Sequence, residues 1–167
     1  MPKTEKHIFR RSIDELDWHL LEIIRAICRD KYIQMNVFRI EGIRVLLPRS
    51  KMDVKRAKTI AEYGYPAVAP YMGELTGWLQ DPNWPISKVV ARFFIDIGVP
   101  IVPEIRRVLQ TTGGTWKRNV LTVVSHCSTE VVELLKPELI RIVTQPTTDE
   151  TAEDVVSIAK ELLQNLK

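Results

Sequence analysis

Pro70-Tyr71-Met72-Gly73-Glu74-Leu75 returns as Pro103-Glu104-Ile105-Arg106-Arg107-Val108, and again as Pro137-Glu138-Leu139-Ile140-Arg141-Ile142. The three prolines stand 33 and 34 residues apart, and each opens an apolar run with helical spacing. A second amphipathic segment follows each run, so the repeating unit is a helix pair. Self-similarity at a period of roughly 20–50 residues marks stacked repeats, in which each unit buries its apolar face on its neighbours. The predicted fold class is therefore all-α, a superhelix of stacked antiparallel helix pairs.

Working outward, Ser12 with Glu15 reads as a capping box ahead of Ile13, Leu16, Leu20, Ile24 and Ile27. The last segment carries Ala152, Val155, Val156, Ala159, Leu162, Leu163 and Leu166 on one helical face, led by Asp149, Glu150, Glu153 and Asp154. Gly64 and Gly98 read as C-caps of helices begun near Asp53 and Ile86, with Pro66 and Pro100 reopening the chain. Residues 32–38 alternate like a strand, yet Ile33, Val37 and Ile40 also fit a helix, and the absence of a partner strand favours helix. The spacing predicts one all-helical domain over 1–167. An N-terminal cap or extension would occupy 12–47, with helix pairs at 48–98, 99–128 and 129–167.

The chain has 167 residues, 45% of them hydrophobic, enough for one packed domain. No apolar run approaches the roughly 20 residues that span a bilayer, and the charged start has no apolar core of a signal peptide. Two cysteines, Cys28 and Cys127, make no disulfide scaffold, which predicts a cytoplasmic setting. The net charge of +3 is uneven. Residues 1–60 hold 14 Lys+Arg against 8 Asp+Glu, whereas residues 121–167 hold 4 against 8. Such polarity orients a molecule on an acidic partner or on nucleic acid.

The stretch Trp78-Leu79-Gln80-Asp81-Pro82-Asn83-Trp84-Pro85-Ile86, followed by Ala91 and Ile95-Asp96-Ile97-Gly98, resembles a HEAT-like repeat over about residues 66–166. In such repeats an aspartate-containing turn joins a first helix to a second that ends in glycine. Asp81 and Asn83 suit turn or N-cap hydrogen bonds, the prolines fix backbone angles, and Trp84 suits a gap between helices. Trp116 falls near the Trp84 position of the second unit, without an Asp-Pro-Asn before it; the third unit has neither feature. The wider string, from Leu46-Leu47-Pro48 through Gly64-Tyr65-Pro66-Ala67 to Pro85, is similar to an uncharacterised family of small bacterial proteins built on HEAT-like helices. That likeness implies fold and a bacterial origin, with no assigned activity.

Motifs for chemistry are sparse. Thr112-Gly113-Gly114-Thr115-Trp116-Lys117 lacks the element that completes a phosphate loop, and reads as a connection between helices. Adjacent residues on a helix diverge by about 100°, so His126 and Cys127 form no base–nucleophile pair. Neither a metal site nor a cofactor is expected, and no catalytic motif points to an enzyme.

The expected function is a non-catalytic module for protein–protein interaction, of adaptor or immunity-inhibitor type. Trp84, Lys88, Arg92, Trp116, Lys117 and Arg118 would form one concave basic and aromatic ridge against an acidic protein surface. The alternative is nucleic-acid binding through Arg44, Arg49, Lys51, Lys55, Arg56 and Lys58. The HEAT-like resemblance extends that alternative to action on DNA bases, for which Trp84, Asp81 and Arg92 are the comparable trio.

Overall fold

Gly64 and Gly98, both at φ +67°, end two of the helices from which the fold is built, and their N–H groups close on Ile60 and Phe94 carbonyls at 3.2 and 3.1 Å. That backbone angle favours a residue without Cβ. The computed structural model describes residues 42–166 together with Ala26. The proposed helix over 12–29 and most of the ambiguous segment 32–47 lie outside the described residues; residues 42–46 are helical. The chain divides into two compact units, Met1–Gly42 and Ile43–Lys167. The repeat spacing predicts one domain over 1–167 with an N-terminal cap or extension over 12–47.

All regular structure among the described residues is helical. Helix α1 spans Val54–Tyr63, α2 Met72–Gly77, α3 Pro85–Ile97, α4 Val102–Leu109 and α5 Gly114–Val124. Helix α6 spans Thr129–Leu134, α7 Lys136–Thr144, α8 Thr148–Ala152 and α9 Val155–Gln164. Short 3-10 turns, Ala69–Tyr71 and Val99–Ile101, lead into α2 and α4.

Helices α1, α3, α5 and α9 each pack on the next, and so form one layer, termed the second-helix layer. Helix α2 packs on α4. Helix α4 reaches α7 through Arg106, whose Nε stands 2.8 Å from Glu138 Oε1, and the same guanidinium donates to the Leu134 carbonyl at the end of α6. The core lies between these layers. Ile86, Val90 and Phe94 of α3 are buried at i, i+4 and i+8, in one core cluster with the buried Ile105 and Val108 of α4 and Val120, Leu121 and Val124 of α5.

Three tethers run between successive units. The Arg107 guanidinium lies 5.7 Å from the centre of the Trp116 ring and donates to Gly73 O at 3.4 Å. The Trp116 indole N–H donates to Thr76 O at 3.2 Å, and Asn119 donates to Leu79 O and Gln80 O at 3.0 Å each. The Asn119 bonds take up carbonyls just past the end of α2.

The repeating prolines are not all equivalent. Pro103 and Pro137 sit at the second position of α4 and α7, but Pro70 lies in the 3-10 turn before α2. Its counterpart in the next unit is Pro100, in the turn before α4. The acid-led final segment also departs from one continuous helix. Asp154 at φ +61° breaks it into α8 and α9.

Candidate functional site

The Asp81 turn places the first of the candidate side chains. Asp81 Oδ1 accepts the Asn83 N–H at 2.9 Å, an Asx turn that delivers Trp84 to the N-cap of α3 with Pro85 behind it. Trp84 is half-buried and packs edge-on against Trp78 at 5.9 Å between ring centres. It thus closes its own turn and packs against the core. Trp116, also half-buried, is turned toward α2 and α4 by its bonds to Thr76 and Arg107.

Lys88, Arg92 and Arg118 remain on the surface. Lys88 and Arg92 stand one turn apart on α3, and Arg118 stands on α5. Two grooves run along this layer. One, of about 550 Å3, lies between α1 and α3, with Val89, Phe93 and Ile97 among its apolar lining and Lys58, Lys88 and Arg92 among its cations. The other, of about 240 Å3, lies between α3 and α5, lined by Leu79, Ala91 and Val123 with Lys88 and Arg118. Lys88 is common to both. Lys58, Lys88 and Arg118 make no ion pair among the described residues, whereas Arg92 holds Asp96 at 3.0 Å in an exposed i,i+4 pair. Glu62 and Asp96 also line the larger groove.

Lys117 corrects the ridge read from the sequence, for it is buried and belongs to another constellation. Its Nζ lies 2.9 Å from Glu150 Oε1 and 3.1 Å from Asp149 Oδ2. Arg141 grips Glu150 with both terminal nitrogens at 2.6 Å, and the Thr147 N–H donates to Glu150 Oε2 at 2.9 Å. Thr147 and Glu150 form a capping box for α8.

A carboxylate offers about four lone-pair sites, and Glu150 fills four. Burial pushes its carboxyl up, but the bonds from Arg141, the Thr147 N–H and Lys117 outweigh burial and hold it down at about 2. The hydrogen bond from Thr147 likewise lowers Asp149, with Lys117 adding to it, and Arg141 is raised by its bond to Glu150. A saturated carboxylate ionised over the whole neutral range is no general base. The adjoining cleft of about 540 Å3 is walled by Lys117, Arg141, Asp149 and Glu150, which bind one another and clamp α8 and α7 to α5. Glu138 also walls it; its Oε1 takes Arg106, while its buried Oε2 has no partner among the described residues. Gly114, the first residue of α5, completes the clamp: a Cβ there would stand 2.4 Å from Asp149 O.

His126 Nδ1 donates to Thr122 O at 2.8 Å, and Cys127 donates to Val123 O at 3.4 Å. Burial pushes the Cys127 thiol up to about 11, leaving it protonated at neutral pH. No group of three His, Cys, Asp or Glu side chains among the described residues is placed to hold a metal ion. No helix among them is long and apolar enough to cross a membrane.

Of the basic stretch, Arg44, Arg49, Lys51, Lys55 and Lys58 are exposed. Arg56 is half-buried, with its guanidinium 3.6 Å from Asp53 and reaching Leu47 O at 3.5 Å. Lys58 alone of these lines a groove of the second-helix layer. Sequence reasoning assigned it to the other site, because only the packing of α1 on α3 brings it beside Lys88.

Residues 46–163 match the protein-family model described as Domain of unknown function (DUF5071). No curated protein matches the chain.

Proposed function

The chain belongs to that family of unknown function, DUF5071, and on this premise we propose that it is a non-catalytic HEAT-like helical-repeat module that binds an acidic protein surface. The binding face is the layer formed by α1, α3 and α5. The observation that carries this reading is the shared position of Lys88, which walls both grooves while Lys58, Arg92 and Arg118 flank it. Exposed cations over an apolar floor suit a partner that brings carboxylates around an apolar contact, since charge complementarity steers encounter and buried apolar area holds the complex. The succession of α1, α3, α5 and α9, with α2 packed on α4, supports the HEAT-like reading.

Protein is favoured over nucleic acid by the apolar floor of Val89, Phe93 and Ile97 in the larger groove, which a phosphate backbone would leave uncovered. The test is affinity for a captured partner measured at low and high salt. A fall with salt, unaffected by nuclease treatment of the partner fraction, agrees with the proposal; loss of all binding after nuclease treatment contradicts it.

A further inference from the structure

The two grooves lie on opposite flanks of one helix, α3, and share Lys88 between them. Neighbouring helix axes are about 8–10 Å apart, so two grooves flanking a single helix are separated by about one helix width. A segment in polyproline II geometry advances about 3.1 Å per residue with about three residues per turn, so side chains three positions apart share a face and stand about 9 Å apart. The larger groove has a floor of Val89, Phe93 and Ile97, and the smaller has Leu79, Ala91 and Val123. The crest between them carries the Lys88 ammonium, which has no ion-pair partner among the described residues, and Arg118 stands beyond the smaller groove in the same condition.

We propose that the face binds an extended acidic segment that crosses α3 and sets two apolar side chains, three positions apart, into the two grooves. The carboxylates between those anchors meet Lys88, and the flanking ones meet Arg118 and Lys58. Charge complementarity selects the occupant. Arg92 already holds the Asp96 carboxylate, and the smaller groove is lined by Lys88 and Arg118 with no acid among its lining residues. An apolar segment with basic flanks would place like charges against that pair. A partner helix laid along one groove would leave the other empty, and the shared cation would then bridge nothing. This inference rests on the proposed use of the second-helix layer for an acidic partner, and it adds the form of the bound segment.

The test is an NMR titration of the whole chain with three synthetic peptides, followed at the methyl groups of Val89 and Ile97 in one groove and Ala91 and Val123 in the other. The first peptide carries two leucines three positions apart, with glutamates between and around them. The second replaces the leucines by serine, and the third replaces the glutamates by lysine. The expected result is that the first binds with shifts in both grooves, the second binds at least ~10-fold more weakly, and the third does not bind. Lys88→Ala should weaken the first peptide ~10-fold while leaving the spectrum of the free protein folded, because the side chain is exposed.

Equal binding of the first two peptides would overturn the anchored segment but leave an acidic partner standing. Shifts confined to one groove would overturn the crossing of α3 in the same way. Equal binding of the lysine peptide would overturn both the segment and the proposed function. Binding by none of the three would overturn the segment, while capture of an acidic protein through Lys88 and Arg118 still decides the function.

Discussion

Lys117 Nζ stands 2.9 Å from Glu150 Oε1, with the lysine side chain 2% exposed and the glutamate side chain 0% exposed. The pair joins α5 to α8 across a gap of 33 residues in sequence. Removing Lys117 takes one of four bonds from the buried Glu150 carboxylate, which keeps Arg141 and the Thr147 N–H, and such a loss costs about 1–3 kcal/mol. Lys117→Ala should lower unfolding stability by that amount in a denaturant titration. A loss below about 1 kcal/mol would mean that Glu150 finds water or another donor, and that the clamp is not structural.

The same cluster sets an acid dependence. Glu150 titrates at about 2 in the fold against 4.5 for the ordinary glutamate, so its ionisation favours the fold fully above about pH 4.5. That contribution is lost as pH falls from about 4.5 through about 2, and is on the order of 3 kcal/mol. Stability measured against pH should fall in this window for the native chain. Glu150→Gln should be less stable at neutral pH and should show a flatter acid limb; an equally steep limb would place the titration elsewhere.

Gly114 and Gly113 make a paired test. At Gly114 a Cβ would meet Asp149 O at 2.4 Å and Glu153 Cγ at 2.8 Å, whereas at Gly113 the nearest atom, Trp116 Cβ, is 3.7 Å away. Gly114→Ala should therefore push α8 from α5 and cost roughly 1–3 kcal/mol, the usual price of overpacking. Gly113→Ala should be neutral within about 0.5 kcal/mol, because its φ of −90° suits any residue. Equal melting temperatures for the two variants would contradict the close approach of α8.

Much of this was legible beforehand. The glycine caps at Gly64 and Gly98 and the starts of α1 and α3 follow from local rules about backbone angle and capping, which need no knowledge of the neighbours. The burial of Lys117 also had a signal: Val120, Leu121 and Val124 follow it at i+3, i+4 and i+7, which puts it on the apolar stripe of α5. Thr147 with Glu150 three residues on is likewise a capping-box pattern, overlooked among the acids that lead the last segment. The register of Pro70 with Pro100 was not legible, since the 3-10 turns that make them equivalent depend on how α2 and α4 pack. Nor was the meeting of Lys58 with Lys88, which only the contact of α1 with α3 creates.

Trp84 bears on the same lesson. As a wedge between units it would cost about 3–5 kcal/mol to truncate, as a fully buried aromatic does. Half-buried and in contact with Trp78 at 5.9 Å, it should cost only roughly 1–2 kcal/mol as Trp84→Ala. A measured loss of about 4 kcal/mol or more would show that the ring joins the repeats after all.

The central claim is that the cations of the second-helix layer hold an acidic protein, and charge reversal on that layer tests it most directly. Lys88 and Arg118 are exposed, and they contribute little to folding. The measurement is quantitative capture of proteins from a nuclease-treated extract on the immobilised chain, with Lys88→Glu/Arg118→Glu beside the native protein and Lys136→Glu as a control. Lys136 is exposed on α7, away from both grooves. The account predicts that the double variant melts like the native protein yet retains at least ~10-fold less of an acidic partner, that the control retains it fully, and that binding weakens as salt shortens the Debye length from about 10 Å at 0.1 M to about 3 Å at 1 M. Undiminished capture by the double variant would contradict it.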